Sequence, residues 1–227
     1  MQVITLTPSN LLDGILVPGV VAVDSTPEQV QVTQTFIYRI AGIRYDKAPT
    51  TGIAMVASKT INVGLAAGQF WGVFLIQINA AGTVTMKAPS NDQVHASEAA
   101  AIAAKPVPDA NNIELGYLTI QSLTNTAWTS QTDSLTNDVT AANFTITAAL
   151  GRILRDEVIR PRSIRWIGAS DATHRVQLTS KQRVVWEDIA GQTNASRTDP
   201  HLRIHFDAGI ATPDIWSLPS GTLYLYL

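Results

Sequence analysis

The sequence predicts an all-β protein of two sandwich-like or barrel-like domains, the first with an extended N-terminal arm and one short alanine-rich helix. Two observations favour this class. Short β-prone segments with two-residue alternation recur between turn residues. Only one stretch is dense in strong helix formers. The 227 residues include no cysteine, so packing and hydrogen bonds must hold the fold.

We divide the chain into two predicted domains, 1–147 and 148–227, because the arginine content rises abruptly near this point. Residues 1–150 carry 6 basic and 10 acidic groups, whereas residues 151–227 carry 10 and 8. A chain of this length can form one large β domain or two of ordinary size, and the shift in charge favours two.

The N-terminal residues 1–35 are predicted to be extended, as an arm or an edge strand. Prolines recur there among short apolar pieces, and Gly14 lies inside the one helix-like stretch, which leaves room for little more than a turn. Residues 31–43 then alternate, which predicts a half-buried strand with Phe36 and Tyr38 inside and Arg39 on the other face. Ile53–Val63 is a further predicted strand region.

A β-hairpin is predicted over Gln69–Met86. The apolar run Phe70–Ile78 forms its first strand, and we expect Trp71 in this run to be buried. The corner Ala80-Ala81-Gly82 turns the chain back, and Thr83–Met86 alternates as a returning strand should.

One helix is predicted between Val94 and Lys105, where alanine dominates and two prolines follow to stop it. Asn91, Asp92 or Ser97 can cap its start, and Ser97 is the least favoured because it leaves too little helix behind it. A helix this short is marginal alone, so we expect it to dock on the sheet.

Further strands are predicted after the helix. Ile113–Leu123 reads as one strand, and Thr124–Ala142 as a long loop or a pair of weak strands. The second domain has five short strand candidates with the spacing of a small sandwich or barrel: Ser163–Ile167, Arg175–Leu178, Arg183–Trp186, Leu202–Phe206 and Thr222–Leu227.

Composition excludes several classes of function. The net charge is -2, so no positive field would draw the protein to nucleic acid or an anionic membrane. No apolar run approaches the roughly 20 residues that span a bilayer, and the first residues do not resemble a signal peptide, so we expect synthesis in a cytoplasm. Charged residues make up only 15%, which favours faces that meet other protein faces.

Two sets of side chains are candidate interface or ligand contacts. One is an arginine cluster, for which ion pairs between subunits are favoured over nucleic acid because acidic residues lie within it. The other is Trp128, the tryptophan we expect to be exposed, since it lies in a polar run; an exposed indole can also stack on a sugar. The arginines of the cluster are Arg152, Arg155, Arg160 and Arg162, with Arg165 close behind.

The chemistry of an enzyme is not predicted. His201 and His205 stand four residues apart beside acidic residues, but the alternation around them favours solvent-facing strand positions over a metal site. The sequence contains no Gly-x-Ser-x-Gly turn and no glycine-rich phosphate loop. We therefore predict no catalytic, cofactor-binding or metal-binding residues and no cofactor.

A series of motifs along residues 31–135 resembles a segment of the virion structural proteins of tailed bacteriophages. The second half, with Val184-Val185-Trp186-Glu187 and the C-terminal Leu218-x-Ser220-Gly221-Thr222-Leu223-Tyr224-Leu225-Tyr226, looks like the small β domains that accompany such proteins or stand alone in phage genomes. The motifs of the first segment are Phe36-x-Tyr38-x-Ile40-x-Gly42-x-x-Tyr45-x-Lys47-Ala48, Ala80–Val84, Glu98–Ala104 with Pro106-x-Pro108, and Leu115–Ile120.

This resemblance implies a non-enzymatic virion protein of the capsid decoration or minor head type. It implies a homo-oligomer, by analogy a trimer, that contacts other virion proteins and is made in the host cytoplasm. The alternative is a tail, baseplate or fibre component that binds carbohydrate as an adhesin. The resemblance supplies no individual functional residues.

Overall fold

The computed structural model describes residues 3–6, 13–62, 68–150, 163–180, 183–189, 196–199, 214–218 and 222–226. The fold is all-β, as predicted, with one short α-helix among these residues. In chain order the elements are β1 (Val3–Leu6), β2 (Gly14–Val17), β3 (Val21–Val23), β4 (Gln29–Val32), β5 (Phe36–Ile40), β6 (Ile43–Lys47), β7 (Thr50–Ala54), β8 (Thr60–Ile61), β9 (Trp71–Asn79), β10 (Val84–Lys87), α1 (Glu98–Ala103), β11 (Asn112–Ser122), β12 (Trp128–Thr129), β13 (Val139–Ile146), β14 (Ser163–Ile167), β15 (Arg175–Ser180), β16 (Arg183–Ile189), β17 (Ser196–Asp199), β18 (Asp214–Ser217) and β19 (Thr222–Tyr226).

The contacts divide the chain into two compact units. Unit 1 comprises Met1–Leu16, Tyr38–Tyr45 and Leu150–Leu227, and unit 2 comprises Val17–Ile37 and Asp46–Ala149. These units are groups of mutual contacts, and the chain enters each of them more than once. The division into independently folding domains at residues 147 and 148 stays a prediction.

Unit 2 is sandwich-like. Its larger sheet has the order β10-β9-β11-β13 and its smaller sheet the order β3-β4-β7, all antiparallel. Strand β7 contacts β10 and β3 contacts β13, so the two sheets lie face to face. Fully buried side chains from both sheets, among them Val30, Phe74 and Leu118, form the core. The short pair β8 and β12 adds Ile61 and Trp128 to it.

The predicted hairpin is confirmed as β9 and β10. Gly82 adopts a φ of 77° that an L side chain rarely adopts, and its N–H donates to the carbonyl of Asn79 at 3.0 Å. Seven consecutive residues of β9 are buried because the sandwich core covers one face of this strand and α1 the other. Trp71 is only half-buried, because it begins the strand at the margin of the sheet, so its predicted burial was wrong.

Strand β11 spans the predicted segment and lies at the centre of the larger sheet. A bulge falls between Glu114 and Gly116 in its pairing with β9. At Gly116 a Cβ atom would stand 2.3 Å from the backbone oxygen of Thr145 on β13. Glycine at this position lets the two strands approach each other.

Helix α1 is shorter than predicted and begins at the cap judged least favourable. The hydroxyl of Ser97 accepts a hydrogen bond from the N–H of Ala100 at 3.2 Å, and the helix covers only Glu98–Ala103. It starts late because the preceding backbone is extended. His95 bridges to Trp71 of β9, whose N–H donates to the His95 carbonyl at 2.8 Å.

The N-terminal segment contributes four short strands, β1 to β4, to the sheets. Strands β1, β2 and β3 are edge strands of their sheets, in agreement with the edge-strand alternative, but β4 is a central strand. Arg39 in β5 is fully buried, so its predicted outward orientation was wrong. The tight turn between β5 and β6 places Ala41 at a φ of 51° and Gly42 at 76°.

Unit 1 contains the sheets β1-β19-β14-β17 and β16-β15-β18. On its first sheet Ile164, Trp166 and Leu223 are buried, whereas Arg165 between the first two is exposed, which is the alternation of a strand with one covered face. Four of the five predicted strands of this part of the chain are present, and the fifth, Leu202–Phe206, lies outside the described residues.

Candidate functional site

Trp128 is not the exposed contact that the sequence predicted. The side chain is 1% exposed; its ring meets Phe74 edge to face at a centroid distance of 5.8 Å, and Nε1 donates to the Ser134 carbonyl at 3.3 Å. The surrounding polar residues satisfy one another in turns: Asp133 accepts from the N–H of Thr129 at 2.6 Å. The polar residues are thus used in these turns, and the indole packs in the core.

The other predicted contacts lie outside the described residues. These are Arg152, Arg155, Arg160 and Arg162, together with His201 and His205. Arg165, which follows the cluster, is exposed on β14. The predicted role of the arginine cluster stays a prediction.

Strand β13 is the most distinctive surface of unit 2, because it forms an edge of the larger sheet. It pairs with β11 on one side, with Leu118 opposite Phe144 and Ile120 opposite Ala142. In the part of the chain that the structure describes, no strand pairs with its other side. A bulge at Thr140 disturbs the start of the strand, so the regular edge runs over residues 141–146.

The pairing of β9 determines which backbone groups of β13 face outward. The N–H of Val73 donates to Oε1 of Gln93 at 2.6 Å, so the backbone N–H and C=O of Val73 point away from β11. The backbone N–H and C=O of the next residue, Phe74, therefore point toward β11. The direction of the backbone N–H and C=O groups alternates from residue to residue along an antiparallel strand. On β11, Leu118 lies opposite Phe74 and its backbone is hydrogen-bonded to β9, so the backbone of Thr119 is hydrogen-bonded to β13.

The same alternation continues into β13. Asn143 lies opposite Thr119, and the backbones of these two residues are hydrogen-bonded to each other. The backbone N–H and C=O groups of Ala142, Phe144 and Ile146 therefore point away from β11, toward the outside of the sheet. The N–H of Thr147 donates to the Leu115 carbonyl at 2.9 Å, which agrees with this assignment. The outward N–H and C=O groups of Ala142, Phe144 and Ile146 are called the β13 edge below.

The sequence of β13 lacks the residue types that often protect an exposed strand. Natural sheets shield their edges with lysines, prolines or covering elements. Residues 139–150 contain no charged residue, no proline and no glycine. Apolar side chains at Ala142, Phe144 and Ile146 are half-buried on one face, and Asn143 and Thr145 are exposed on the other. Such a strand is suited to pairing with another strand.

A carboxylate of α1 holds the edge in place. Oε1 of Glu98 accepts hydrogen bonds from the Thr119 hydroxyl at 2.5 Å and from Nδ2 of Asn143 at 3.0 Å. These bonds, the first above all, lower the pKa of Glu98. The helix is thereby tied to both β11 and β13.

A second polar cluster lies further along the same face. Lys105 forms an ion pair with Glu114, and its ammonium lies 5.4 Å from the centroid of the Tyr117 ring. Oε1 of Glu114 accepts from the Thr147 hydroxyl at 3.2 Å. These contacts fasten the chain just after β13 to the sheet.

An open groove of about 550 Å³ lies between β4 and β7 in unit 2. Its lining consists of Gln31, Val32, Thr33, Pro49, Thr50 and Thr51. A bulge in β7 shapes it, because Val30 lies opposite Ile53 whereas Val32 lies opposite Thr50. The lining carries hydroxyl and amide groups and no charge.

The carboxylate of Asp24 holds the bulge beside this groove. Oδ2 accepts from the N–H of Gly52 at 2.5 Å, and Gly52 has a φ of 71°. The bond from Gly52 is the main cause of the lowered pKa of Asp24. Asp24 therefore supports the groove without lining it.

Other kinds of site are not seen in the described ranges. These residues contain no group of three or more His, Asp or Glu side chains placed to hold a metal ion. They also contain no helix with the length and apolar character needed to cross a membrane. The chain matches no protein-family model, and no curated protein and no solved structure was found to match it.

Proposed function

We propose that this chain is a non-enzymatic structural protein of a tailed-phage virion, a capsid decoration or minor head protein that assembles into homo-oligomers through β-rich interfaces. The motifs described above favour the virion class. The β13 edge supports assembly, and it is the single observation that carries the proposal: a regular, uncharged strand with outward backbone groups. Low overall charge agrees with a protein whose faces are covered by other proteins.

Backbone pairing alone would not hold an assembly together. A backbone hydrogen bond contributes about 0.5–1.5 kcal/mol net, and stable interfaces bury roughly 1,200–2,000 Å². The half-buried Phe144 and Ile146 beside the edge would add apolar area to such an interface. Assembly through this surface therefore combines strand pairing with the burial of these side chains.

Two measurements test this proposal. Light scattering at several concentrations should give an integer multiple of the chain mass: the trimer suggested by analogy would give three, and an assembly built on strand pairs would give an even number. Quantitative mass spectrometry of purified phage particles should find the chain at a fixed copy number. A chain that is monomeric at all concentrations and absent from washed particles would overturn the proposal.

The second candidate function is carbohydrate binding, as an adhesin of a tail, baseplate or fibre. The groove between β4 and β7 favours it, since neutral hydroxyl and amide groups beside Pro49 suit an uncharged polyhydroxylated ligand. Trp128, the indole first considered for stacking, is buried and does not serve this role.

Glycan binding by variants of the groove tests this alternative. Thr33→Val and Thr51→Val remove groove hydroxyls at exposed positions, and Thr83→Val is the matched control on the hairpin loop. Loss of binding in the first two with binding kept in the control would establish the groove as the site. Equal binding by all three would exclude it.

A further inference from the structure

We infer that the partner of the β13 edge is a second copy of this chain, bound antiparallel across a two-fold axis that passes beside Phe144. This inference rests on the proposed assembly function and names its partner. Two larger sheets joined in this way form one continuous sheet of eight strands, four from each copy.

The register follows from which residues face outward. A two-fold axis at Phe144 places this residue opposite its own copy and Ala142 opposite Ile146 of the second copy. Every outward residue then meets an outward residue, and each such pair exchanges two backbone hydrogen bonds. A shift of the pairing by one residue would place residues whose backbone groups point outward opposite residues whose backbone groups point inward, and these hydrogen bonds would be lost.

Other two-fold registers use less of the strand. An axis at Ala142 would place Phe144 opposite Thr140, where the bulge lies. An axis at Ile146 would place Phe144 opposite Ala148, beyond the end of β13. Only the register centred on Phe144 keeps all three outward residues within the regular strand.

The side chains are also self-complementary in this register. On the face that carries α1, Asn143 lies opposite Thr145 of the second copy, and both are exposed and polar. On the other face Phe144 meets its own copy, flanked by the pairs of Ala142 with Ile146. Polar groups thus meet polar groups and apolar groups meet apolar groups.

The lack of charge favours a copy of the chain over a different partner. Near a two-fold axis, any charged side chain would lie close to its own copy and repel it. Residues 139–150 contain no such side chain. The opposite edge strand of the sheet, β10, is less suitable: it has four residues and ends in Lys87, which pairs with Asp109 at 2.6 Å.

Disulfide trapping tests the register, because the wild-type chain has no cysteine. In the inferred dimer the two Cα atoms of residue 144 lie about 5.5 Å apart, within the range of about 4.4–6.8 Å that a disulfide spans. Phe144→Cys should therefore form a covalent dimer under mild oxidation. Thr145→Cys places the new thiol opposite Asn143 of the second copy, so this variant should not form a covalent dimer. The double variant with Asn143→Cys and Thr145→Cys should form one, because each new thiol then lies opposite another.

A charge placed at the axis gives an independent test. Phe144→Lys sets two ammonium groups against each other and should raise the dissociation constant of the dimer by more than about tenfold in light scattering. Thr83→Lys adds the same charge away from the edge and should leave it unchanged. Circular dichroism checks that both variants fold.

The outcomes separate this inference from the proposed function. Crosslinking at Phe144 but not at Thr145, together with dissociation by Phe144→Lys, supports the two-fold pair. A trimer or larger oligomer that Phe144→Lys leaves intact overturns the pair while the assembly function stands. A wild-type chain that is monomeric and absent from particles overturns both.

Discussion

Replacing Trp128 by alanine tests the core of unit 2 most directly. The sequence places this residue in a polar run and predicts exposure, whereas the structure buries it against Phe74. The two views predict opposite results. An exposed tryptophan can be truncated at little cost, but a buried one leaves a cavity and an unpaired carbonyl at Ser134.

The expected loss can be worked from these contacts. Truncation of a buried tryptophan to alanine costs about 3–5 kcal/mol, which includes the edge-to-face contact with Phe74. Domains have total stabilities of about 5–15 kcal/mol, so the substitution removes a large fraction. Trp128→Phe keeps one ring and loses the N–H, and we expect it to cost about 1–2 kcal/mol.

Urea unfolding followed by far-ultraviolet circular dichroism measures these losses. With a slope of about 2 kcal/mol per molar urea, Trp128→Ala should lower the unfolding midpoint by about 1.5–2.5 M. Trp166→Ala is the positive control for the loss expected of a buried indole, because Trp166 is equally buried. A loss below about 1 kcal/mol for Trp128→Ala would refute the buried placement and restore Trp128 as a candidate sugar contact.

Three further predictions concern the backbone and the pH dependence. Gly116→Ala should lower the free energy of unfolding by about 1–3 kcal/mol in urea unfolding, because the new Cβ would meet a backbone oxygen at 2.3 Å. Gly72→Ala should cost less, because its Cβ would meet a side chain at 2.6 Å, which can move. Equal losses in the two variants would contradict this reasoning. Thr119→Val should raise the pKa of Glu98 toward its ordinary value in an NMR titration. Because the pKa of Glu98 is lower in the folded than in the unfolded state, this carboxylate stabilises the fold above its unfolded pKa, and that stability is lost as the pH falls through the folded pKa. The loss of stability on acidification should therefore be smaller in Thr119→Val than in the wild type. Ala41→Asn should stabilise the turn at a φ of 51° by about 0.5–1 kcal/mol in thermal unfolding, and no gain would contradict this.

Local features of the chain were predictable because neighbouring residues decide them. The strand character of the segments that form β11 and β14 is a property of each segment, since β-prone residues between turn signals suffice to indicate it. The turn at Gly82 was predictable for a similar reason, because glycine adopts the required φ without strain. The stop of α1 before Pro106 also needs only the local sequence.

The placement of single side chains was not predictable in the same way. Ser97 caps α1 because distant strands hold the residues before it extended, and no local signal reports that pairing. The burial of Trp128 and of Arg39 depends on which strands pack over them. Each of these errors has one cause: the local pattern indicates a polar or outward position, and the tertiary packing decides otherwise.

The same distinction between local sequence and tertiary packing applies to the candidate sites. By itself the sequence determined the all-β class, the single short helix and the uncharged stretch of residues 139–150, since composition and local periodicity suffice for these. Only the tertiary structure decided that this stretch is an edge strand, that Phe144 faces outward and that Thr33 and Thr51 line a groove. The physical reason is that strand order and register arise from hydrogen bonds between segments far apart in the chain, which no local pattern encodes.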